Sequence, residues 1–210
     1  MFRFLKNIIN TIIIIFAVVG AFTLYKQGLF SNVHDVTSNF FSMNKEKIEA
    51  EVGDFSKVNE EFNIDKALKV AGYKTVVAKH QSSGQKMIIV DSGKKALLTE
   101  QDITSDKIKE KIETLCKKFK YHSTTVDKIE ITARGYMTTY GHKVPYVKFN
   151  AKLSNFPKSN ISGIISAVGN DKNNQRLIIS LNDTKHYSQL ITSEFYKNVQ
   201  EAEVSANKHK

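Results

Sequence analysis

The sequence predicts an α+β domain, built on an antiparallel sheet of about six strands that form three hairpins. Helices are expected to pack on one face of this sheet, and a single hydrophobic membrane helix is expected to precede the domain. Three observations lead to this prediction. Six β-rich runs follow one another in pairs joined by polar turns, and an apolar run stands near the start of the chain. Amphipathic helical patterns precede the first pair, separate it from the second and follow the third.

The apolar run extends from Ile8 to Leu24 and follows two basic residues, Arg3 and Lys6. As a helix it would be about 26 Å long, near the minimum that crosses a hydrocarbon core about 30 Å thick. A basic flank favours retention on the cytoplasmic side. We therefore interpret residues 1–25 as a signal anchor that places the rest of the chain outside the cytoplasm.

The alternative is a signal peptide cleaved near Ala21, which would release a secreted domain. In either case the polar residues 26–39 are interpreted as a juxtamembrane linker and residues 40–202 as one folded domain. Residues 203–210 are expected to form a flexible tail.

Two helices are predicted at the start of the domain. Apolar residues from Phe41 to Phe55 recur at helical spacing, and Gly53 is a suitable end for that helix. A second, shorter helix is predicted over Ile64–Ala71, because Asn63 can cap its start and a glycine follows it.

The next segment predicts a hairpin followed by a helix. Tyr73–His80 and Lys86–Val90 are β-rich, and the polar residues between them suit a turn. Ser105 can then cap a helix whose apolar stripe includes Ile108, Ile112, Leu115, Cys116 and Phe119. Cys116 lies on this stripe, so it is interpreted as a small buried hydrophobe and not as a nucleophile.

Two further hairpins and a helix complete the domain. The runs around Ile129–Ala133 and Val147–Leu153 alternate apolar and polar residues, and Gly135 is interpreted as a bulge. The third hairpin pairs Gly163–Val168 with Arg176–Leu181. An apolar stripe between Tyr187 and Val199 predicts the terminal helix.

Composition restricts the function more than it defines it. Lysine and arginine number 31 against 21 acidic residues, which gives a net charge of +10 at pH 7. Such a balance suits nucleic acid, an anionic envelope surface or solubility alone, and export argues against nucleic acid. No phosphate loop, nucleophile elbow or metal-ligand spacing occurs among the 6 histidines and the single cysteine. We therefore assign no catalytic residue, no cofactor and no metal ligand.

The central hairpin carries the one candidate binding surface. Aromatic and cationic residues are expected on the exposed sides of one or two of its strands, a mixture that can contact an anionic partner. The candidate residues are Arg134, Tyr136, Tyr140, His142, Lys143, Tyr146, Lys148 and Lys152.

The sequence therefore favours a membrane-tethered, non-catalytic domain that binds a partner protein or an anionic envelope component. The alternative is a secreted or anchored enzyme that acts on an anionic substrate and has no recognisable linear motif.

If residues 8–24 span the membrane, the full chain should remain in the membrane fraction after high-salt and alkaline washes, because hydrophobic burial resists both. Mass spectrometry should then find the intact N-terminus. A product that begins at Phe22 would instead establish cleavage of a signal peptide.

Overall fold

The structure is a computed structural model. It describes residues 41–42, 44–70, 73–93, 96–117, 126–153, 160–169 and 175–202. The predicted membrane helix, the linker and the tail at 203–210 lie outside these residues, and so does the side chain of Cys116. Within the described part of the chain, none of the helices combines the length and the apolar character that crossing a membrane requires.

The described residues form an antiparallel sheet and four helices, so the domain is α+β as predicted. The strands are β1 (Phe41–Ser42), β2 (Phe62–Val70), β3 (Tyr73–His80), β4 (Lys86–Gly93), β5 (Val126–Thr139), β6 (His142–Leu153), β7 (Asn160–Gly169) and β8 (Gln175–Asp183). The helices are α1 (Lys45–Val52), α2 (Glu100–Thr104), α3 (Ile108–Lys117) and α4 (Gln189–Asn198).

The sheet has the order β1-β2-β3-β4-β8-β7-β6-β5, with seven long strands and the two-residue β1 at one edge. The three predicted hairpins are confirmed as β3–β4, β5–β6 and β7–β8. Strand β4 pairs with β8, and this pairing joins the two halves of the sheet. Strand β5 lies at the opposite edge from β1.

Helices cover both faces of the sheet, so the expectation that they pack on one face is wrong. On the first face, Ile88 and Val90 of β4 share a core with α2 and α3 through Ile103, Ile108 and Ile112. On the second face, Met87 and Ile89 share a core with α1 and α4 through Ile48, Val52, Phe195 and Tyr196. Consecutive apolar residues in a strand point to opposite faces, so both faces need a cover.

The predicted helix over Ile64–Ala71 is also wrong, because residues 64–70 belong to β2. The strand pairs with β3 along its length, and its register shifts between Ile64 and Lys66. A bulge of this kind inserts one residue and breaks the alternation of a strand. Phe62 and Ala67 consequently face the same core although they are five positions apart.

Gly135 does not mark a bulge. The register of β5 shifts between Val126 and Lys128 and again between Ile131 and Ala133, whereas Gly135 pairs regularly with Tyr146. A Cβ at Gly135 would lie 2.8 Å from the Tyr146 hydroxyl oxygen. Glycine is therefore required here because the Tyr146 side chain crosses the backbone of β5.

The tip of the β5–β6 hairpin is fastened to two other elements. Tyr140 and Gly141 have positive φ angles of 51° and 74°, as a two-residue hairpin turn requires. The buried Tyr140 hydroxyl donates to the Val52 carbonyl oxygen at 3.1 Å. The Tyr140 backbone N–H donates to the Val199 carbonyl oxygen at 3.0 Å. The tip thus holds the end of α1 and the end of α4 together.

The close approach of β7 and β8 makes Gly163 sensitive to substitution. A Cβ there would lie 2.4 Å from the Ser180 carbonyl oxygen and 2.8 Å from the Phe149 ring. Gly163→Ala should lower the free energy of unfolding by about 2 kcal/mol or more, because neither the sheet backbone nor the packed ring can yield cheaply. Equilibrium denaturation measures this loss. In the matched variant Gly169→Ala, the new Cβ meets only the flexible end of Gln175, so equal losses in the two variants would contradict the explanation.

Candidate functional site

The predicted binding residues do not form one surface. Arg134, Tyr136 and Lys143 lie on the first face of the β5–β6 hairpin, according to the strand register. His142, Tyr146, Lys148 and Lys152 lie on the second face. Tyr140 occupies the turn and is 2% exposed, so it belongs to the core and not to any surface.

Arg134 has a structural partner at the end of α2. Its Nη1 donates to the carbonyl oxygens of Thr104 and Ser105, both at 3.0 Å. Its Nη2 lies 3.8 Å from a carboxylate oxygen of Asp106. A cation at the C-terminal end of a helix satisfies carbonyl groups that the helix leaves unpaired. Arg134 therefore fastens the β5 edge to the helices of the first face.

Tyr136 and Lys143 form a small exposed pair on the same face. The Tyr136 side chain stands out from the hairpin, with the residue 58% exposed. The Lys143 ammonium lies 5.1 Å from the centre of the Tyr136 ring, within the range of a cation–π contact. This pair offers a partner one aromatic surface and one positive charge.

The second face carries a longer row of cations, which we call the lysine strip: Lys128, Lys148 and Lys152. Lys128 of β5 stands directly opposite Lys152 of β6. Lys128 also contacts Glu130, and the hydrogen bond between them holds the pKa of that carboxyl below its usual range. Lys148 lies further along β6, with its ammonium 5.8 Å from the centre of the Tyr187 ring. Lys128 was missed by the sequence analysis, because only the strand register shows that it faces Lys152.

A serine–histidine–glutamate arrangement occurs at the β3–β4 turn. The Ser83 Oγ lies 3.0 Å from His80 Nδ1, and His80 Nε2 lies 2.8 Å from Glu61 Oε2. Residues in this order can activate a serine nucleophile. Sequence analysis could not find it, because Glu61 comes beside His80 only through the pairing of β2, which was predicted as a helix.

The surroundings of Ser83 do not support acyl-transfer chemistry. Such chemistry needs N–H donors aimed at a developing oxyanion. In this turn the Gly84 N–H donates to the His80 carbonyl oxygen and the Gln85 N–H donates to Ser83 Oγ. Both of these N–H groups are thus already used by the turn. We assign the arrangement to fastening the turn against the start of β2.

An open groove of about 550 Å³ lies beside α1 on the second face. Its lining includes three acidic residues, Glu46, Glu49 and Asp54. Burial raises the pKa of Glu49, although the nearby Lys45 acts in the opposite direction. Among the described residues, no three His, Cys, Asp or Glu side chains are grouped so that they could hold a metal ion.

No protein-family model matches the chain, and no curated protein matches its sequence.

Mutations can distinguish the structural role of Arg134 from the exposed position of Lys143, to which no structural role is assigned. Arg134→Gln should lower the free energy of unfolding by about 1 kcal/mol, because it removes charge-assisted bonds to the end of α2. Lys143→Gln should change the free energy of unfolding by less than about 0.5 kcal/mol, as is usual for an exposed side chain. Equilibrium denaturation of both variants checks this, and similar losses in the two would contradict the structural role of Arg134.

Proposed function

We propose that this chain is a membrane-tethered, non-catalytic domain that binds an acidic surface of a partner protein on the extracytoplasmic side of the membrane. The apolar N-terminal run supports the tether, and the net charge of +10 supports an acidic partner. The observation that carries the proposal is the position of Lys152 directly opposite Lys128 at the outer strands of the sheet.

Like charges that face each other across two strands are destabilising, by roughly 0.2–1 kcal/mol. Glu130 offsets part of this cost at Lys128, but Lys152 adds a further exposed cation beside it. If an acidic surface of a partner covered the strip, the attraction of each lysine to that surface would outweigh the repulsion between the two lysines. Stability alone does not explain the pair, whereas an anionic partner does.

The surroundings of the strip favour a protein over a simple polyanion. The Lys148 ammonium makes a cation–π contact with the Tyr187 ring. Leu190, three residues after Tyr187, is 82% exposed. Protein interfaces combine aromatic and aliphatic contacts with charges, whereas a charged polymer is held mainly by the charges. The strip and its neighbours provide both kinds of contact.

Affinity capture with the full chain from solubilised membranes of the native cells tests the proposal. A strip variant with Lys128→Gln, Lys148→Gln and Lys152→Gln should lose most of the captured partner. Capture by the unchanged chain should weaken as salt is raised from 50 to 300 mM, because exposed charges are screened within about 10 Å at 0.1 M salt. Quantitative mass spectrometry of the captured proteins measures both effects.

A matched control carries Lys47→Gln, Lys107→Gln and Lys197→Gln, which removes the same charge from exposed lysines outside the β5–β6 hairpin. It should retain the partner. A third variant, Tyr136→Ser with Lys143→Gln, tests the first face of the hairpin. Equal retention by the strip variant and the control would show that the lysine strip does not bind the partner, and loss only in the third variant would place binding on the first face.

A further inference from the structure

Strand β5 forms one edge of the sheet, and its second half is regular. It is the last strand in the sheet order, and among the described strands it pairs with β6 alone. Both shifts in its register lie before Ala133, whereas residues 133–139 pair with residues 142–148 without interruption. Bulges and charged side chains are the usual means of keeping an edge strand from pairing with another chain. The first half of β5 has both, and residues 133–139, which we call the β5 edge run, contain no bulge.

The hairpin turn determines which backbone groups of the β5 edge run face away from β6. In a two-residue turn the flanking pair, here Thr139 and His142, exchanges both of its backbone hydrogen bonds. Successive residues of an antiparallel strand then alternate between those that bond to the neighbouring strand and those whose N–H and C=O point outward. Arg134, Tyr136 and Thr138 are the outward residues. No backbone group of a described turn, loop or helix bonds to them.

The opposite edge of the sheet is partly closed by the chain itself. Strand β1 pairs with the last two residues of β2. Further along β2, the Lys45 ammonium of α1 donates to the Ile64 carbonyl oxygen at 2.8 Å. The β5 edge run differs from β2 because, within the described part of the chain, no comparable group covers its outward N–H and C=O groups.

The side chains of the β5 edge run suit a strand that carries little charge. Its single charged residue is Arg134, whose guanidinium is already bound to the carbonyl oxygens at the end of α2 and lies 3.8 Å from an Asp106 carboxylate oxygen. Tyr136, at the centre of the run, is 58% exposed. A highly charged strand would find no unpaired opposite charge along this edge, whereas a second copy of the same run brings no excess charge.

A second copy fits the run best in one antiparallel register. Hydrogen-bonded pairs between the copies require an outward residue on each side. With Tyr136 opposite Tyr136 of the second copy, all three outward residues are paired, because Arg134 then stands opposite Thr138 on each side of the axis. Each such pair exchanges two backbone hydrogen bonds. A shift of the register by two residues leaves only two of the three pairs. The chosen register also keeps like charges apart and brings the two Tyr136 rings side by side.

We infer that a second copy of this chain pairs with the β5 edge run, antiparallel and with Tyr136 at the two-fold axis, so that the two sheets join into one. A two-fold interface uses the same surface on both copies, which is what this register requires. Backbone hydrogen bonds at a sheet edge are a common way for one chain to bind another. The inference does not rest on the proposed function, because the β5 edge run contains no residue of the lysine strip.

Disulfide cross-linking of the purified full chain in detergent tests the pairing and its register. The single native cysteine is first replaced, Cys116→Ala. Tyr136→Cys then places two thiols at the axis, with Cα atoms about 5.5 Å apart, a separation that a disulfide spans. Thr138→Cys is the matched control, because residue 138 lies four positions from its counterpart, about 14 Å along the strand. Mild oxidation should give about ten-fold more cross-linked dimer with Tyr136→Cys than with Thr138→Cys. Circular dichroism checks that both variants are folded.

A second pair of variants tests the edge without added cysteines. Thr138→Pro removes an outward N–H, so no bond between β5 and β6 is lost, and proline is tolerated at such an edge position. Between two copies, the same change removes one hydrogen bond on each side of the axis. It should raise the dissociation constant of the dimer about ten-fold or more. Thr138→Val retains the N–H and should dimerise like the unchanged chain. Sedimentation velocity in density-matched detergent measures all three proteins.

Several results would overturn the inference. They are equal cross-linking of folded Tyr136→Cys and Thr138→Cys, absence of a dimer with Tyr136→Cys, and an unchanged dissociation constant in folded Thr138→Pro. If Thr138→Pro does not fold, the two cysteine variants decide. When the oxidation is repeated in the native cells, cross-linking of Tyr136→Cys to a different protein would assign the edge to that protein and would also overturn the inference.

Discussion

Strands β4 and β8 are buried on both faces, and the other layers of the domain are arranged around that constraint. Both strands are apolar at consecutive positions, from Met87 to Val90 and from Leu177 to Ile179. Such strands cannot lie at an edge or under a single layer of helices without leaving apolar surface in water. The two helical layers and the central position of the β4–β8 pair therefore both follow from the need to keep these apolar strands out of water.

A buried amide fixes how the second layer sits on these strands. The Gln85 side chain is 0% exposed and donates to Ser180 Oγ at 3.1 Å and to Thr192 Oγ1 at 2.9 Å. Its oxygen accepts from the Ser188 N–H at 2.8 Å. A shift of α4 would leave these groups buried without partners, at a cost of about 1–3 kcal/mol each. Hydrophobic burial brings α4 to the sheet, and the Gln85 bonds determine its position.

The features that sequence analysis predicted correctly are local ones. The β3–β4 turn depends on residues next to each other, and α3 depends on a stripe within one helix. The wrong predictions concern features that depend on residues far away in the chain. Strand β2 forms only because it pairs with β3, and the face on which each helix packs depends on the whole core. Helix α2 was missed for another reason. It has five residues, too few for a periodic pattern, and is identified by the capping box of Thr99 and Asp102.

The candidate surface was divided by one bulge. Strict alternation from Ile129 and Ile131 places Arg134 and Tyr136 on the opposite face, beside Lys148 and Lys152. The extra residue between Ile131 and Ala133 reverses this parity, so Arg134 turns toward α2 and Tyr136 follows it. A single inserted residue turns every later side chain of the strand to the opposite face of the sheet. The local sequence does not show where the extra residue lies. Glycine often marks a bulge, but the glycine of this strand stands at 135 and pairs regularly.

The separation of the two central strands along the chain has a consequence for biosynthesis. Strand β4 ends at Gly93 and β8 begins at Gln175. At roughly 5–20 residues per second, the apolar edge of β4 waits for several seconds before its partner leaves the ribosome. Unpaired strand edges of this kind are where nascent chains associate wrongly. The first half of the sheet is therefore expected to expose this apolar edge during synthesis until the last hairpin has been made.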